Sequence, residues 1–299
     1  MSYTYKVKNE ILSKGNLSLE EKYTEVRAVL LGKNAIYEDK IELKLENREL
    51  AERVYDFLKD ITDLRIGIKY SISKKLGEHN VYIISILKQR GFKVFIEDLN
   101  TYTKEYIEGK HNLEGSFMRG LFLACGYIKP PEKEYALDFF IDSDEIAQEL
   151  YELLKEQNKK VFITRKRNRP LVYIRNSEDI MDIIVLMGSL KEFYSYEETT
   201  MIKDLKNKTI REMNWEVANE TKTLNTGKKQ IKMINYIGKK IGLNTLSPVL
   251  EEIAFLRLQN PESSLVELGE LIGISKSGIR NRFRRIEDIY NELIEKERE

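Results

Sequence analysis

The amino-acid sequence predicts an α+β fold followed by a smaller, all-α domain. The order helix, strand, helix, strand, strand occurs twice in the first part of the chain, strand patterns stop after Ser189, and only helical patterns follow. A repeated order of this kind indicates two similar units packed as a pseudo-dimer. We expect the following segments: a duplicated domain over 1–195 with repeats at about 1–100 and 110–190, a basic helical linker over 196–244, and a second domain over 245–299.

The composition argues against several classes of site. With 299 residues, 41% of them hydrophobic, the chain can bury a core in each of two domains. The single cysteine, Cys125, provides neither a disulfide framework nor a cysteine-cluster zinc site. His79 and His111 are the only histidines, which gives little basis for a histidine metal site or a catalytic triad. No apolar stretch is long enough to span a membrane, and residues 1–12 lack a signal-peptide pattern, so we expect an intracellular protein with no membrane association.

Hydrophobic periodicity assigns the elements of the first repeat. Apolar residues at helical spacing predict helices, and the alternating run Ile-Glu-Leu-Lys-Leu at 41–45 predicts a strand. The predicted elements are helices over 5–12 and 19–31, the strand over 41–45, a helix over 49–58, and strands over 65–72 and 81–86.

The second repeat follows the same order. We expect a helix over 117–125 ending at Gly126, a strand over 137–141, a helix over 144–154, and strands over 161–166 and 171–175 joined by a turn at 168–170. RAVLLGKNAI at 27–36 matches RGLFLACGYI at 119–128, and AERVYDFLKD at 51–60 matches AQELYELLKE at 147–156. The offset grows from 92 to 96 across the loop that contains Pro130 and Pro131, where insertions are tolerated. We infer a duplication.

The stretch from residue 263 to 286 predicts two short helices joined by a tight turn. Ser263 or Ser264 can cap the first helix, and Glu267 completes a capping box with Ser264. Gly273 ends this helix because glycine adopts left-handed dihedral angles at little cost. The expected apolar face comprises Leu265, Leu268, Leu271 and Ile272.

The second of these helices is basic on its predicted exposed side. Ser275 can cap it, and Ile279, Phe283 and Ile286 recur at core spacing. Between 275 and 285 there are five cations and no acid. Together with Leu250 and Phe255 of a preceding helix over 246–258, these apolar residues should let the segment from 246 onward fold by itself.

This arrangement is typical of a helix-turn-helix, whose second helix enters the major groove of DNA. Ser277 and Gly278 are small enough for close approach, and Arg280 and Asn281 carry the side chains that read guanine and adenine. The predicted DNA-binding residues are Ser264, Ser275, Lys276, Ser277, Gly278, Arg280, Asn281, Arg282, Arg284 and Arg285. The alternative interpretation is a solvated basic helix that closes a small bundle.

Two motifs together resemble a known family. The helix ending FLACGYI at 122–128 resembles the LAGLIDADG signature of homing endonucleases, which are α+β pseudo-dimers with DNA-binding sheets. A degenerate double LAGLIDADG domain followed by SLVELGELIGISKSGIRNRFRRI resembles the WhiA family, and the resemblance extends from VKNEIL at 7–12 to the end of the motif. It implies a DNA-binding transcription factor of mostly Gram-positive bacteria, tied to cell division, chromosome segregation and, where it occurs, sporulation.

The resemblance also indicates what is absent. Active LAGLIDADG enzymes hold divalent metal between carboxylates at the ends of the two signature helices. The matching positions here are Lys33 and Cys125, and neither a cation nor a neutral thiol suits a hard metal ion. Glu38 and Asp39 lie beyond the helix end. We predict no catalytic residue, no metal, no cofactor and no enzymatic activity; Cys125 fits a small buried residue at a helix contact better than a catalytic thiol.

A basic hairpin in the second repeat is a candidate for a second DNA surface, because such strands face DNA in the endonuclease fold. Its cations are Lys160, Arg165, Lys166, Arg167 and Arg169, flanked by Lys159 and Arg175. The residues expected on its inner face are Val161, Ile163, Leu171, Tyr173 and Ile174. A solvated basic face is the alternative, and we interpret Tyr194 and Tyr196 as packing residues.

Three functions therefore remain under consideration: a transcription regulator with an inactive endonuclease-like domain, an active site-specific nuclease, and a structural protein that binds another protein. For the first, the partner is double-stranded DNA and the location is the cytoplasm, at the nucleoid. A partner regulator bound through the N-terminal domain is a further expectation. The resemblance implies that such a partner can be an iron–sulfur WhiB-like protein, as in actinobacterial members of the family.

Overall fold

The computed structural model describes residues 2–73 and 79–297. The chain divides into two compact units, Met1–Asp204 and Leu205–Glu299. The first is α+β and the second all-α, so the predicted fold class is confirmed.

The first repeat begins with two helices, the second of which has a full capping box between Ser18 and Glu21. Its elements are α1 (Tyr3–Leu12), α2 (Leu19–Gly32), β1 (Lys40–Leu45), α3 (Arg48–Ile61), β2 (Gly67–Ser73), β3 (His79–Leu87) and α4 (Phe92–Thr101). Every element predicted for this repeat is present, and α4 was not predicted.

The second repeat has the same order with one addition, a three-residue strand after its second helix. Its elements are α5 (Lys104–Ile107), α6 (His111–Cys125), β4 (Gly126–Ile128), β5 (Leu137–Phe140), α7 (Asp144–Glu156), β6 (Val161–Lys166), β7 (Arg169–Ile174) and α8 (Ser177–Leu186). The hairpin turn predicted at 168–170 is wrong by one residue. Arg167 and Asn168 take the two left-handed turn positions, and Arg169 and Pro170 already belong to β7.

The sheets show the duplication directly. The first has strand order β1-β3-β2 and the second β4-β5-β7-β6, with antiparallel pairing between all neighbours. Strand β1 pairs with β3 in the first sheet, and its equivalent β5 pairs with β7, the equivalent of β3, in the second. Strand β4 has a short counterpart in the first repeat. Ile36 forms an isolated bridge to Ile41, and at the equivalent positions of the second repeat Ile128 of β4 pairs with Leu137 of β5.

Helices α2 and α6, which contain the matched segments of the two repeats, pack against each other at the centre of the first unit. A Cβ atom at Gly120 would lie 2.4 Å from the carbonyl oxygen of Glu25 and 2.7 Å from the Cβ of Ala28, so the glycine permits the close crossing. Leu30 and Leu121 are fully buried beside it. This contact joins the two repeats into one core.

Buried ion pairs join the two repeats through two arginines at equivalent positions, Arg27 and Arg119. Arg27 donates to both carboxylate oxygens of Glu149 at 2.9 and 3.0 Å, and Arg119 donates to Glu25 at 3.1 Å. Glu25 also accepts from Arg53 at 2.6 Å. Removing one partner of such a buried pair costs roughly 3–5 kcal/mol, because the other charge is left uncompensated.

The second unit is built around the end of one long helix. Its elements are the C-terminal part of α9 (Leu190–Lys240), a 3-10 turn (Leu243–Thr245), α10 (Pro248–Gln259), α11 (Leu265–Ile272) and α12 (Lys276–Lys296). Ile234 and Ile237 of α9 are fully buried in its core. Two predicted core residues are exposed instead, Leu271 at 59% and Phe255 at 48%. Among the helices of the described residues, none is both long and apolar enough to cross a membrane.

Candidate nucleic-acid interface

Helices α11 and α12 form the predicted helix-turn-helix. Ser264 and Glu267 form the capping box, with the Ser264 N–H donating to Glu267 Oε2 at 2.6 Å. Gly273 has φ of 69° and ends α11, as the sequence indicates. The turn is tight, because a Cβ at Gly269 would lie 2.4 Å from the carbonyl oxygen of Ile274. Ser275 then caps α12 by accepting from the Gly278 N–H at 3.2 Å.

The side chains of α12 separate into a buried and an exposed face. Ile279, Phe283 and Ile286 are buried in the core, as predicted. The predicted DNA-binding residues that are exposed on this helix are Lys276, Ser277, Arg280, Asn281, Arg284 and Arg285. At 100° per residue, Ser277 and Asn281 lie opposite the buried face, so their side chains project farthest from the core of the unit.

The other predicted residues of the motif have structural contacts. Ser264 and Ser275 use their hydroxyl oxygens as caps, and Gly278 is half-buried beside Ile274. Arg282 donates to Glu252 of α10 at 3.2 Å, and its side chain is 23% exposed. These four residues therefore shape the motif, and Arg282 lies on the side of α12 that faces α10.

The basic hairpin is largely neutralised by acidic neighbours. Arg165 pairs with Asp144 at 2.5 Å, Arg169 with Asp142 at 3.3 Å and Arg175 with Asp138 at 2.7 Å, and Lys159 pairs with Asp182. Within the described residues, no carboxylate pairs with the side chains of Lys160, Lys166 or Arg167. Of the five cations predicted for a second surface, Arg165 and Arg169 are thus paired, although the side chains of both are more than half exposed.

The hairpin also corrects two predicted packing positions. Val161, Leu171 and Ile174 are buried as expected, whereas Ile163 is 40% exposed. Tyr173 faces the other way: it pairs in register with the exposed Phe162, and the two rings stack at 5.3 Å.

The tyrosines of α9 differ from each other in burial. Tyr196 is fully buried, as predicted, but Tyr194 is 64% exposed, so the packing role predicted for both applies to Tyr196 alone.

The ends of α2 and α6 carry the two positions at which the sequence resemblance expects the metal-binding carboxylates of an active LAGLIDADG enzyme. Lys33 follows the last residue of α2, and Cys125 is the last residue of α6. The Cys125 thiol donates to the Gly32 carbonyl oxygen at 3.4 Å, and burial raises the pKa of this thiol to about 11. Such a thiol stays protonated at neutral pH and is a poor ligand for a hard cation.

A second lysine lies close to these positions. Lys8 of α1 donates from Nζ to the Leu123 carbonyl oxygen at 2.9 Å, and burial lowers the pKa of Lys8 to about 8. Sequence reasoning did not identify Lys8. No cluster of three or more histidine, cysteine, aspartate or glutamate residues within 2–73 and 79–297 is arranged to hold a metal ion.

Comparisons with known proteins place the chain in a family. The model of the WhiA LAGLIDADG-like domain matches residues 114–206, and that of the WhiA C-terminal HTH domain matches residues 210–290. A protein of Clostridium botulinum named "Probable cell division protein WhiA" is 30% identical over 98% of this chain and 99% of its own length. The chain belongs to the WhiA family.

Further relatives agree with this assignment. The WhiA protein of Clostridium tetani is 32% identical and the alignment covers 98% of both chains. The crystal structure of full-length WhiA from Thermatoga maritima matches with a TM-score of 0.59 at 24% identity, covering 98% of each chain. That structure supports the fold alone, from the LAGLIDADG-like repeats to the helix-turn-helix. The match to the HTH model starts inside α9, so this part of the helix belongs with the C-terminal unit in sequence as well as in packing.

Proposed function

We propose that this WhiA-family chain is a sequence-specific DNA-binding regulator of transcription whose LAGLIDADG-like domain does not cleave DNA. One observation carries the proposal: α12 buries Ile279, Phe283 and Ile286 and presents Ser277 and Asn281, flanked by cations, on its free side. Asparagine forms a bidentate pair with adenine in the major groove, while arginine pairs with guanine or with phosphate. The alternative of an incidental basic helix offers no reason for this division of small, polar and cationic residues.

The proposed absence of nuclease activity rests on the ends of α2 and α6. Hydrolysis of a phosphodiester in this fold requires a metal-activated water held by carboxylates. Lys33 and Cys125 take those places, Lys8 lies beside them, and burial raises the pKa of the Cys125 thiol to about 11, which keeps it neutral. The helices are retained because they form the core contact between the repeats.

The cellular role follows from the relatives. Their names describe cell division proteins, and we propose the same process for this chain, together with chromosome segregation and, in a sporulating host, sporulation. A DNA-binding regulator acts at the nucleoid in the cytoplasm. The LAGLIDADG-like domain, with much of its hairpin charge paired internally, is then available to bind a partner regulator.

A binding titration tests the DNA-binding proposal. Duplexes selected from a random pool by the full chain are compared with unselected duplexes by electrophoretic shift at several salt concentrations. We expect preferential binding of the selected duplex, with a linear decrease of log affinity against log salt. A structural protein with an incidental basic helix would yield no enriched sequence and only weak, sequence-independent binding.

A cleavage assay tests the second part of the proposal. A supercoiled plasmid that carries the selected site is incubated with the full chain and Mg²⁺ or Mn²⁺, and we expect it to stay supercoiled. Metal-dependent nicking that disappears in Glu38→Ala or Asp39→Ala would show that these two carboxylates form an active site and that the chain is a nuclease.

A further inference from the structure

A basic cleft of about 780 Å³ lies within the second unit, between α9 and the helix-turn-helix. One wall is the stretch of α9 that includes Trp215, Asn219 and Lys222. The other wall consists of the first residues of α11 and the side of α12 that carries Lys276, Arg280 and Arg284. The exposed side of α12 thus continues into a channel whose far side comes from a helix outside the motif.

The cleft is a built feature because α9 is fixed against the loop before α11. A Cβ at Gly227 would lie 2.5 Å from the carbonyl oxygen of Pro261, so only glycine permits this approach without a shift of the backbone. Beside it, the guanidinium of Arg257 donates to Gln230 Oε1 at 3.0 Å and to the Ser263 carbonyl oxygen at 2.6 Å. Closure of the cleft at this end therefore depends on specific contacts between distant parts of the unit.

Arg257 also places an uncompensated charge in the lining of the cleft. Arg257 is 1% exposed, yet its hydrogen bonds in the described part of the chain go to neutral oxygens, and its guanidinium lies 5.5 Å from the centroid of the Phe283 ring. Burying a cation without a carboxylate is costly, which favours an anion nearby.

The charge of the lining points to a polyanion. The cations of the cleft are Lys222, Lys229, Arg257, Lys276, Arg280 and Arg284, and the single acid in the lining is Glu287. Glu287 pairs with Lys229 at 2.6 Å. In the residues that the structure describes, the other five cations have no carboxylate partner.

We propose that this cleft seats the sugar-phosphate backbone of one DNA strand while α12 occupies the adjacent major groove, with Lys222 of α9 as a phosphate contact and Trp215 at the rim. The inference rests on the proposed function and extends it to a helix outside the helix-turn-helix. From 215 to 229, α9 is about 21 Å long at 1.5 Å per residue. That length is several times the size of a phosphate ion, so an extended backbone fits the wall better than a single phosphate ion.

The test uses the full chain and a duplex selected from a random pool. Lys222→Gln removes one charge from the cleft, and Lys228→Gln removes one from an exposed position on the same helix outside it. We expect Lys222→Gln to bind about fivefold to tenfold more weakly at 0.1 M salt, with a salt slope smaller by about 0.9. Lys228→Gln should match the parent in both respects.

Trp215 provides an independent readout. It is the sole tryptophan of the chain and is 70% exposed. DNA that enters the cleft should change its emission, and Lys222→Gln should shift this change to higher DNA concentration. Inorganic phosphate at millimolar concentration, the probe for a small-anion site, should leave the emission as it is.

The outcomes separate the two proposals. If the parent binds the selected duplex, but Lys222→Gln equals Lys228→Gln and the emission of Trp215 stays constant, the cleft proposal is wrong and the helix-turn-helix proposal stands. Saturable quenching by inorganic phosphate without a salt-slope effect of Lys222→Gln would also overturn it in favour of a small-anion site. If the parent binds no duplex at all, both proposals fail.

Discussion

At the scale of single residues, Asn281 and Arg285 are both exposed on α12 but differ in the recognition they can provide. We expect Asn281→Ala to reduce the preference for a selected duplex over a random one by roughly 1–3 kcal/mol, because a bidentate base contact is lost. Arg285→Ala should weaken both duplexes alike and lower the salt slope by about one phosphate contact. Competition titrations of the two variants measure this difference. An Asn281→Ala variant that keeps the full preference would remove this residue from base recognition.

Lys8 gives a prediction about stability and pH. Burial lowers the pKa of its ammonium to about 8, whereas an unfolded lysine has its ordinary pKa of 10.5. Above pH 8 the folded state therefore binds fewer protons than the unfolded state, and its stability rises with pH. The clearest pH range for this effect is 8 to 9. Above pH 9 the cysteine of the unfolded chain ionises, whereas burial keeps the Cys125 thiol of the folded chain, with a pKa of about 11, protonated. This difference lowers the stability of the folded state as pH rises, and it opposes the effect of Lys8.

Replacing the lysine tests this cause. In urea unfolding between pH 7.5 and 9, the parent should gain stability, and Lys8→Met should gain less because the buried ammonium is absent. Lys6→Met, at an exposed position of the same helix, is the control and should behave as the parent. Equal pH dependence of Lys8→Met and the parent would show that the ammonium is not desolvated at this site.

At the scale of elements, the crossing of α2 and α6 holds the two repeats together. Gly120→Ala would place a methyl group 2.4 Å from the Glu25 carbonyl oxygen, in a helix contact that has no flexible side chain to give way. We expect a loss of about 2 kcal/mol or more in the free energy of unfolding, measured with denaturant. Gly15→Ala is the matched control, since a Cβ there meets no atom within 4 Å. A Gly120→Ala variant as stable as Gly15→Ala would contradict the close crossing.

The repeats were predictable from the sequence for two reasons. Buried apolar residues recur at helical spacing in the helices and at every second position in the strands, and residues at equivalent positions of the two halves are similar. The two helices that follow β3 and β7 were missed although each has a local signal. Helix α4 lacks a side-chain cap at Gly91, but Phe92, Phe95 and Leu99 recur at helical spacing and are buried. Helix α8 does have a signal, since Asn176 accepts from the Asp179 N–H and acids occupy the first turn.

The motif of the second unit was predictable, but the surroundings of the motif were not. Caps, the glycine turn and the core spacing of α12 are local, and all three are confirmed. Leu271 is exposed, whereas Ile234 and Ile237 of α9, which are distant from the motif in sequence, are buried in the core of the unit. The ion pairs of Arg282 and of the basic hairpin likewise join residues that are distant in sequence, and the spacing of apolar residues does not predict such contacts.

At the scale of the whole molecule, the end of α9 should decide whether the C-terminal unit folds by itself. A fragment of residues 205–299 retains Ile234 and Ile237, whereas a fragment of residues 246–299 lacks both. We expect the longer fragment to unfold cooperatively and the shorter one to be much less stable, because burial of two isoleucines contributes several kcal/mol. Thermal unfolding followed by circular dichroism measures both. Equal stability would contradict the role assigned to α9.

The longer fragment also measures what the first unit adds to DNA binding. We expect weaker binding than by the full chain, with a salt slope smaller by about 0.9 for each phosphate that Lys160, Lys166 or Arg167 contacts. Equal affinity and equal slope would remove the hairpin from DNA binding and favour a protein partner for the LAGLIDADG-like domain.

Genome-wide mapping of bound sites in the host, with the full chain and with Asn281→Ala at equal abundance, tests the central claim most directly. A transcription regulator that reads bases through α12 should give discrete peaks near promoters that share one short motif, and Asn281→Ala should lose most of them. Two results would contradict base recognition through α12. One is a binding profile of the parent that equals that of a strain without the protein, and the other is a set of peaks that share no motif and persist in Asn281→Ala.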